Sequence, residues 1–259
     1  MINVIKARIA QGFRTMQYPD GPPPELPQRF AGWPQVAGGA CLQGCHACAE
    51  ICPTAAITVS TPATGPAIDI GRCIFCRKCQ AACPAGAIVF GGDFKMARAQ
   101  RSSLRAVRNE AADEAAVCSE RIRRVFGRSL KLRQVSAGGC NACEADTNVL
   151  STLAWDLGRF GIQFVASPRH ADGILVTGPV TVNMREALLK TYNAVPEPRI
   201  VIAAGTCAIS GGLFAGHPET LDGADGLLPV DLYIPGCPPH PLTILEGLLW
   251  LIGRVSRQH

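Results

Sequence analysis

No stretch of this 259-residue chain approaches the roughly 20 consecutive apolar residues that a membrane-spanning helix needs. The N-terminus also lacks the apolar core of a secretion signal, so a cytoplasmic location is expected. Aromatic residues make up only 6% of the sequence, and neither a stacking platform nor a recognised nucleic-acid motif accompanies the basic segments. Nucleic acid is therefore not expected as a partner. No phosphate-cradling glycine loop sits between a strand and a helix, which argues against a nucleotide or flavin site. Histidine is scarce: His46, His217, His240 and His259 stand alone, without a metal-ligand pattern. The apolar content of 47% is nevertheless ample for a buried core, so the chain is expected to fold.

Cysteine is abundant, with thirteen residues. Twelve fall into three sets of four: Cys41, Cys45, Cys48 and Cys52; Cys73, Cys76, Cys79 and Cys83; and Cys140, Cys143, Cys207 and Cys237. The C-x2-C clustering and the missing export signal favour metal thiolates in a reducing compartment over disulfides. Soft thiolates in tetrads suit iron-sulfur clusters, three of them here, and electron transfer as the function. The odd thiol, Cys118, has no nearby match and reads as a packing residue.

Before the first cysteine, Ile2, Ile5, Ile9, Phe13 and Met16 recur at helical spacing with Lys6, Arg8 and Arg14 between them, an amphipathic helix suited to a partner, a bilayer surface or the chain itself. Proline then recurs from Pro19 to Pro34, which predicts an extended strap. Between Gly91 and Val135 eleven basic residues oppose five acidic ones, giving +6 where the whole chain carries +5. This stretch reads as a basic helical linker, a solvated face or a contact for something acidic. The resulting division is 1–37 helix and strap, 38–92 two-cluster module, 93–129 linker, and 130–259 a larger domain.

The two-cluster module contains an internal repeat. Cys45-His46-Ala47-Cys48-Ala49-Glu50-Ile51-Cys52-Pro53-Thr54-Ala55-Ala56-Ile57 is echoed by Cys76-Arg77-Lys78-Cys79-Gln80-Ala81-Ala82-Cys83-Pro84-Ala85-Gly86-Ala87-Ile88. The stretch resembles bacterial-type two-cluster ferredoxins, whose cysteine run is C-x2-C-x2-C-x3-C-P. The fourth cysteine of each run ligates the other cluster in that family. The resemblance therefore implies Cys41, Cys45, Cys48 and Cys83 around one cluster, and Cys73, Cys76, Cys79 and Cys52 around the other. The first run departs from the pattern in opening C-x3-C, through Leu42, Gln43 and Gly44, a one-residue bulge. Small residues between the ligands let backbone amides reach the cluster sulfurs.

From Leu130 the pattern changes. Strands are expected at Leu130–Val135, Gln163–Ala166, Gly173–Thr177, Arg199–Ala203 and Val230–Ile234, with helices near Thr147–Phe160, Val182–Tyr192 and Pro241–Val255. This is an α/β domain with a mostly parallel sheet. Its cysteines follow the ends of strands, and ligands of open parallel sheets gather outside the carboxyl ends. A tetrad dispersed in sequence thereby becomes compact in space. The loops Gly138-Gly139-Cys140, Gly205-Thr206-Cys207 and Pro235-Gly236-Cys237-Pro238-Pro239 supply close backbone approach and stiffness.

These loops, with Cys140-Asn141-Ala142-Cys143-Glu144 and the passage Pro196–Ala208, resemble the small subunit of nickel-iron hydrogenases and the 20 kDa (B) subunit of respiratory complex I. The resemblance covers roughly residues 130–257 and implies a flavodoxin-like domain holding a third 4Fe-4S cluster, preceded by a small α+β two-cluster domain. Its C-x2-C spacing at Cys140 and Cys143 is that of hydrogenase small subunits, where complex I subunits have adjacent cysteines. The resemblance thus implies the electron-transfer subunit of a membrane-associated nickel-iron hydrogenase of the formate hydrogenlyase type. The alternatives are the equivalent subunit of a nickel-free complex I-like complex that reduces quinone, or a free ferredoxin-like carrier. It implies a hydrogenase large subunit or 49 kDa-like partner, membrane-arm subunits, a redox donor or acceptor subunit, and a place on the cytoplasmic face of the inner membrane. No residue of the chain itself is expected to be catalytic. Glu144, directly after a ligand, is a candidate proton relay or partner for an arginine of another subunit, or simply an acid in the first turn of a helix.

Overall fold

The computed structural model describes residues 2–12, 14–36, 41–59, 65–108, 124–127 and 129–255. Helix α1 (Ile2–Gln11) buries none of its residues, and Ile2, Ile5 and Ile9 are 69%, 56% and 76% exposed. Its apolar side is not packed against the described residues of this chain; Phe13 lies outside them.

The proline-rich strap runs over the larger domain without regular secondary structure until β1 (Pro34–Val36). Arg159 holds its start, donating to the carbonyls of Met16 at 2.7 Å and Tyr18 at 2.6 Å. Tyr18 itself is buried edge-on against Phe94, with ring centroids 5.8 Å apart.

The sequence repeat becomes a structural repeat. Each half has a short helix carrying the third cysteine of its run, Cys48 on α2 (Ala47–Glu50) and Cys79 on α3 (Lys78–Ala82), followed after Cys-Pro by a strand, β2 (Ile57–Val59) or β4 (Ile88–Phe90). Strand β2 pairs antiparallel with β3 (Pro66–Asp69), and β4 pairs antiparallel with β1. Ile57, Ile68, Ile70 and Ile88 lie buried between the halves and the rest of the chain.

The basic segment departs from the expected helical linker. Of its described residues, 93–108 hold a 3-10 turn (Arg101–Ser103) and strand β5 (Arg105–Ala106), which pairs with β3, while 124–126 are helical. Phe94, Met96, Arg98, Leu104 and Ala106 are buried. The reason is the burial of Phe94, Met96, Ala97 and Arg98, with the Arg98 amide donating to the Tyr233 carbonyl at 2.9 Å and the Tyr233 amide to the Arg98 carbonyl at 2.8 Å, as in an extended chain. The Arg98 guanidinium lies over the Trp33 ring at 4.3 Å and donates to the carbonyls of Lys95 and Ala97, so its charge is buried with partners. Residues 109–123, with Cys118, fall outside the described residues.

The larger domain is a five-stranded sheet built from β6 (Leu130–Ser136), β7 (Ile162–Phe164), β8 (Gly173–Thr177), β9 (Ile200–Ala204) and β10 (Leu232–Ile234). The spatial order is β10-β9-β8-β6-β7 and every pairing is parallel. Numbered from β6, this is the flavodoxin-like order, with its switch point between β6 and β8. Strands β8 and β9 are buried at every residue, as continuous apolar strands covered on both faces should be. Leu175, Ile200 and Ile202 face helix α7 (Pro241–Leu251), all of whose residues are buried. Ile174, Val176 and Val201 face the opposite way, toward Leu188 of α5 (Val182–Ala194).

One helical expectation is corrected, and one short helix is additional to those expected. The helix placed near Thr147–Phe160 is α4 (Ala142–Val149), followed by turns and a 3-10 segment at Leu157–Phe160. The Thr152 hydroxyl competes for a backbone partner, donating to the Val149 carbonyl at 2.8 Å, and Asp156 adopts a left-handed φ of 45°. A short helix, α6 (Thr206–Ser210), follows β9 and stops at Gly211, whose φ is 78°. Among the described residues no helix is long and apolar enough to cross a membrane.

Candidate iron-sulfur sites

In the two-cluster module the repeat sets the cysteine surroundings. The amide of Ala56 donates to Cys52 Sγ at 3.3 Å, and the amide of Ala87 donates to Cys83 Sγ at the same distance. Both contacts follow a tight turn in which Ala55 (φ 48°) or Gly86 (φ 61°) is left-handed. A third amide, that of Phe75, donates to Cys73 Sγ at 3.3 Å. The extra residue of the first run is absorbed in a turn in which the Cys45 amide donates to the Leu42 carbonyl at 3.1 Å, with Gly44 left-handed at φ 73°.

The thiols sense one another across the repeat. Burial raises the pKa of Cys48, and Cys83 and Cys41 beside it raise it further. Burial pushes Cys73 up to about 12, the Phe75 amide opposing, while Cys79, Cys52 and Cys76 add to the rise. Cys79 is pushed up to about 11, again by burial first, with Cys52 and Cys76 among its neighbours. The fourth cysteine of each run thus lies with the other run. Cys45 is half-buried.

The dispersed cysteines meet at the carboxyl edge of the parallel sheet. Cys140 follows β6, Cys143 lies in the first turn of α4, Cys207 lies in the first turn of α6, and Cys237 follows β10. Burial raises Cys143, with Glu144, Cys207, Cys237 and Cys140 contributing in that order. Burial also pushes Cys207 up to about 11, with Cys237 and Cys140 next, and it raises Cys237 beside Cys140. Cys140 and Cys237 are exposed, so this edge opens at the surface.

The donors fit iron-sulfur clusters. Each set offers soft sulfur ligands whose mutual repulsion opposes ionisation and which a positively charged metal core would relieve. Glycine leaves room for the sulfurs: a Cβ on Gly205 would lie 2.6 Å from Cys143 Sγ, and one on Gly212 would lie 3.1 Å from Cys207 Sγ. Among the described residues no three His, Cys, Asp or Glu side chains converge on one point as a single-ion site would require.

Glu144 is 7% exposed, and the Thr177 hydroxyl donates to its Oε1 at 2.6 Å. It borders a cavity of about 530 Å³ shared with Arg133, Gln134 and Asn148. His240 has a local structural role: its Nδ1 accepts the Leu242 amide at 3.1 Å and caps α7, while burial lowers its pKa. Thr177 belongs to no motif in the sequence, and Thr206 is read there only as part of the Gly205-Thr206-Cys207 turn. Their only signal there is position, beside ligand loops that read as glycine turns.

Comparison with known proteins finds a family match for each of the two modules. Residues 140–251 match the family described as NADH ubiquinone oxidoreductase, 20 Kd subunit, and residues 40–87 match the 4Fe-4S dicluster domain. The chain is similar to a probable membrane-bound hydrogenase subunit mbhJ of Pyrococcus furiosus, with 41% identity over 51% of this chain and 79% of that protein. It is 42% identical to formate hydrogenlyase subunit 7 of Escherichia coli over 51% of this chain and 51% of that subunit. It is 43% identical to an NADH-quinone oxidoreductase subunit of Citrifermentans bemidjiense, over 46% of this chain and 70% of that one. The chain belongs to the 20 kDa NADH ubiquinone oxidoreductase subunit family, with a 4Fe-4S dicluster domain in front, and is an iron-sulfur electron-transfer subunit of a hydrogenase or complex I-like oxidoreductase.

Proposed function

We propose that the chain holds three 4Fe-4S clusters and serves as the electron-transfer subunit of a membrane-associated nickel-iron hydrogenase of the formate hydrogenlyase type. Cys41, Cys45, Cys48 and Cys83 would hold one cluster; Cys73, Cys76, Cys79 and Cys52 the second; and Cys140, Cys143, Cys207 and Cys237 the third. When bound, such clusters supply one-electron redox chemistry at potentials set by burial, charge and hydrogen bonding. The chain's own work is to space the sites and aim amides at the sulfurs, as Ala56, Phe75 and Ala87 do. It also places the exposed rim of the third site, Cys140 and Cys237, where a large subunit can cover it. Glu144, buried beside that site, is the proposed proton relay.

The observation that carries the reading is the meeting of the four dispersed cysteines at the sheet edge, beside the loop that carries Cys73. The Cys140-x2-Cys143 spacing favours the hydrogenase branch. The 43% identity to an NADH-quinone oxidoreductase subunit supports the second reading, a nickel-free complex I-like assembly. A free carrier would leave the third site's rim uncovered. The partners proposed are a large subunit, membrane-arm subunits and a redox donor or acceptor subunit, on the cytoplasmic face of the inner membrane. The test is nickel content with hydrogen-dependent dye reduction, on the complex isolated anaerobically through this subunit. Stoichiometric nickel with activity is expected; an iron-replete complex without nickel would move the assignment to the complex I-like branch.

A further inference from the structure

The two modules touch through a small set of polar contacts centred on α6. Thr206, the residue before Cys207, is 1% exposed. Its Oγ1 lies 2.8 Å from the carbonyl oxygen of Cys73 and 3.1 Å from that of Gly236, the residue before Cys237. Its amide donates to the same Gly236 carbonyl at 2.8 Å. One side chain therefore joins backbone at or next to three cysteines, belonging to two different tetrads. One turn later Ser210 Oγ donates to the Gly71 carbonyl at 2.9 Å. Around these bonds Ile209 and Ala208 of α6 pack with Ile68, Ile70 and Cys73 of the two-cluster module. A Cβ on Gly71 would lie 2.8 Å from Ile209 Cγ2, so the approach is close.

We propose that Thr206 is a positioning residue for electron transfer between the modules: its hydroxyl clamps the Cys73 loop against the Cys207 helix and sets the coupling between the two sites. This rests on the proposed assignment of clusters to the Cys73 and Cys207 tetrads. The transfer moves one electron between the sites, oxidising one and reducing the other, with no bond made or broken and no proton to route. A buried hydroxyl that satisfies a buried carbonyl cannot be replaced by water at so close an interface, so its loss should loosen the loop. Valine keeps the shape of threonine and removes the hydrogen bond, while serine keeps the bond. Ser210 provides the control, because it ties the same surfaces without touching a ligand residue.

The experiment compares native complexes carrying Thr206→Val, Thr206→Ser and Ser210→Ala, purified anaerobically. The readouts are iron content, the magnetic interaction between the two reduced clusters by EPR, and the rate at which an electron placed on the two-cluster module equilibrates with the dispersed site. Thr206→Val is expected to keep its full iron while the magnetic splitting shrinks and equilibration slows, because the Cys73 loop is no longer held against the Cys207 helix. Thr206→Ser and Ser210→Ala are expected to resemble the parent. If Thr206→Val does not assemble, Thr206→Ala is measured in its place. A fully loaded valine or alanine variant with unchanged splitting and rate overturns the inference, as does a Ser210→Ala variant that is impaired equally. A parent complex lacking the dispersed cluster would instead overturn the underlying assignment, and the iron content distinguishes the two failures.

Discussion

The hydroxyl of Thr177 donates to Oε1 of Glu144 at 2.6 Å, joining the end of β8 to the first turn of α4. Both residues are buried, so the bond supplies a donor to a carboxylate that water reaches poorly. Thr177→Val should destabilise the larger domain by about 1–3 kcal/mol, because it leaves that carboxylate short of a partner. Glu144→Gln retains an acceptor oxygen and should melt close to the parent. Anaerobic thermal unfolding of both variants checks the difference. The relay role proposed for Glu144 adds that the glutamine variant should lose proton-coupled turnover in the complex while keeping its iron.

Gly205 offers a sharper test of the dispersed site. Its φ is 92°, and an added Cβ would fall 2.6 Å from Cys143 Sγ, so alanine is excluded by both backbone and contact. Gly205→Ala should remove the third cluster selectively, leaving about eight irons per chain in place of about twelve. The EPR signals of the two-cluster module should persist.

Much of this arrangement is legible in the sequence, and what is not has identifiable causes. The twelve proposed ligand positions stand out because cysteine is chemically distinctive and its spacing repeats. Strands β8 and β9 are continuous apolar runs, and the structure places them at the sheet centre. The segment around Arg98 misleads because its charge count suggests solvent, whereas burial of Phe94 and Met96 draws the arginine in with them. The sequence pattern sets helix α4 too late because the helix start depends on Asn141 taking a left-handed φ of 70°, for which the sequence offers only a weak cue. Thr206 is invisible as a contact because its partner, the Cys73 carbonyl, lies 133 positions away.

The strap should depend on Arg159, which donates to the carbonyls of Met16 and Tyr18 while lying over the Phe160 ring at 4.5 Å. Arg159→Ala should cost on the order of 1.5–3 kcal/mol locally, the worth of hydrogen bonds from a charged group. Limited proteolysis should then cut faster within residues 19–31, with cluster content unchanged. An unchanged cleavage rate would show that the strap is held elsewhere.

Asp231 gives a pH dependence. Its Oδ2 accepts the Val201 amide at 2.8 Å, and burial raises its pKa, with that amide opposing the rise. A carboxyl raised in the folded state binds its proton more tightly there than in the unfolded chain. Stability therefore falls as pH rises from the unfolded value of about 4 through the folded one, and the penalty is complete above it. Asp231→Asn keeps an acceptor for Val201 and removes the charge. Its stability relative to the parent should be greater at pH 8 than at about pH 4, where the raised carboxyl is still largely protonated in the folded state, as measured by anaerobic melting at both. No greater advantage at pH 8 would contradict the raised carboxyl.

The central claim is that three tetrads of cysteine hold three clusters. Iron and acid-labile sulfide should be counted on the anaerobically purified native complex, per copy of this subunit after subtracting the partners' contribution, alongside the same complex carrying Cys143→Ala. About twelve irons in the parent and about eight in the variant, with the two-cluster EPR signals intact, is the expected result. About eight irons in both would contradict the account, because the cysteines gathered at the sheet edge would then hold no cluster.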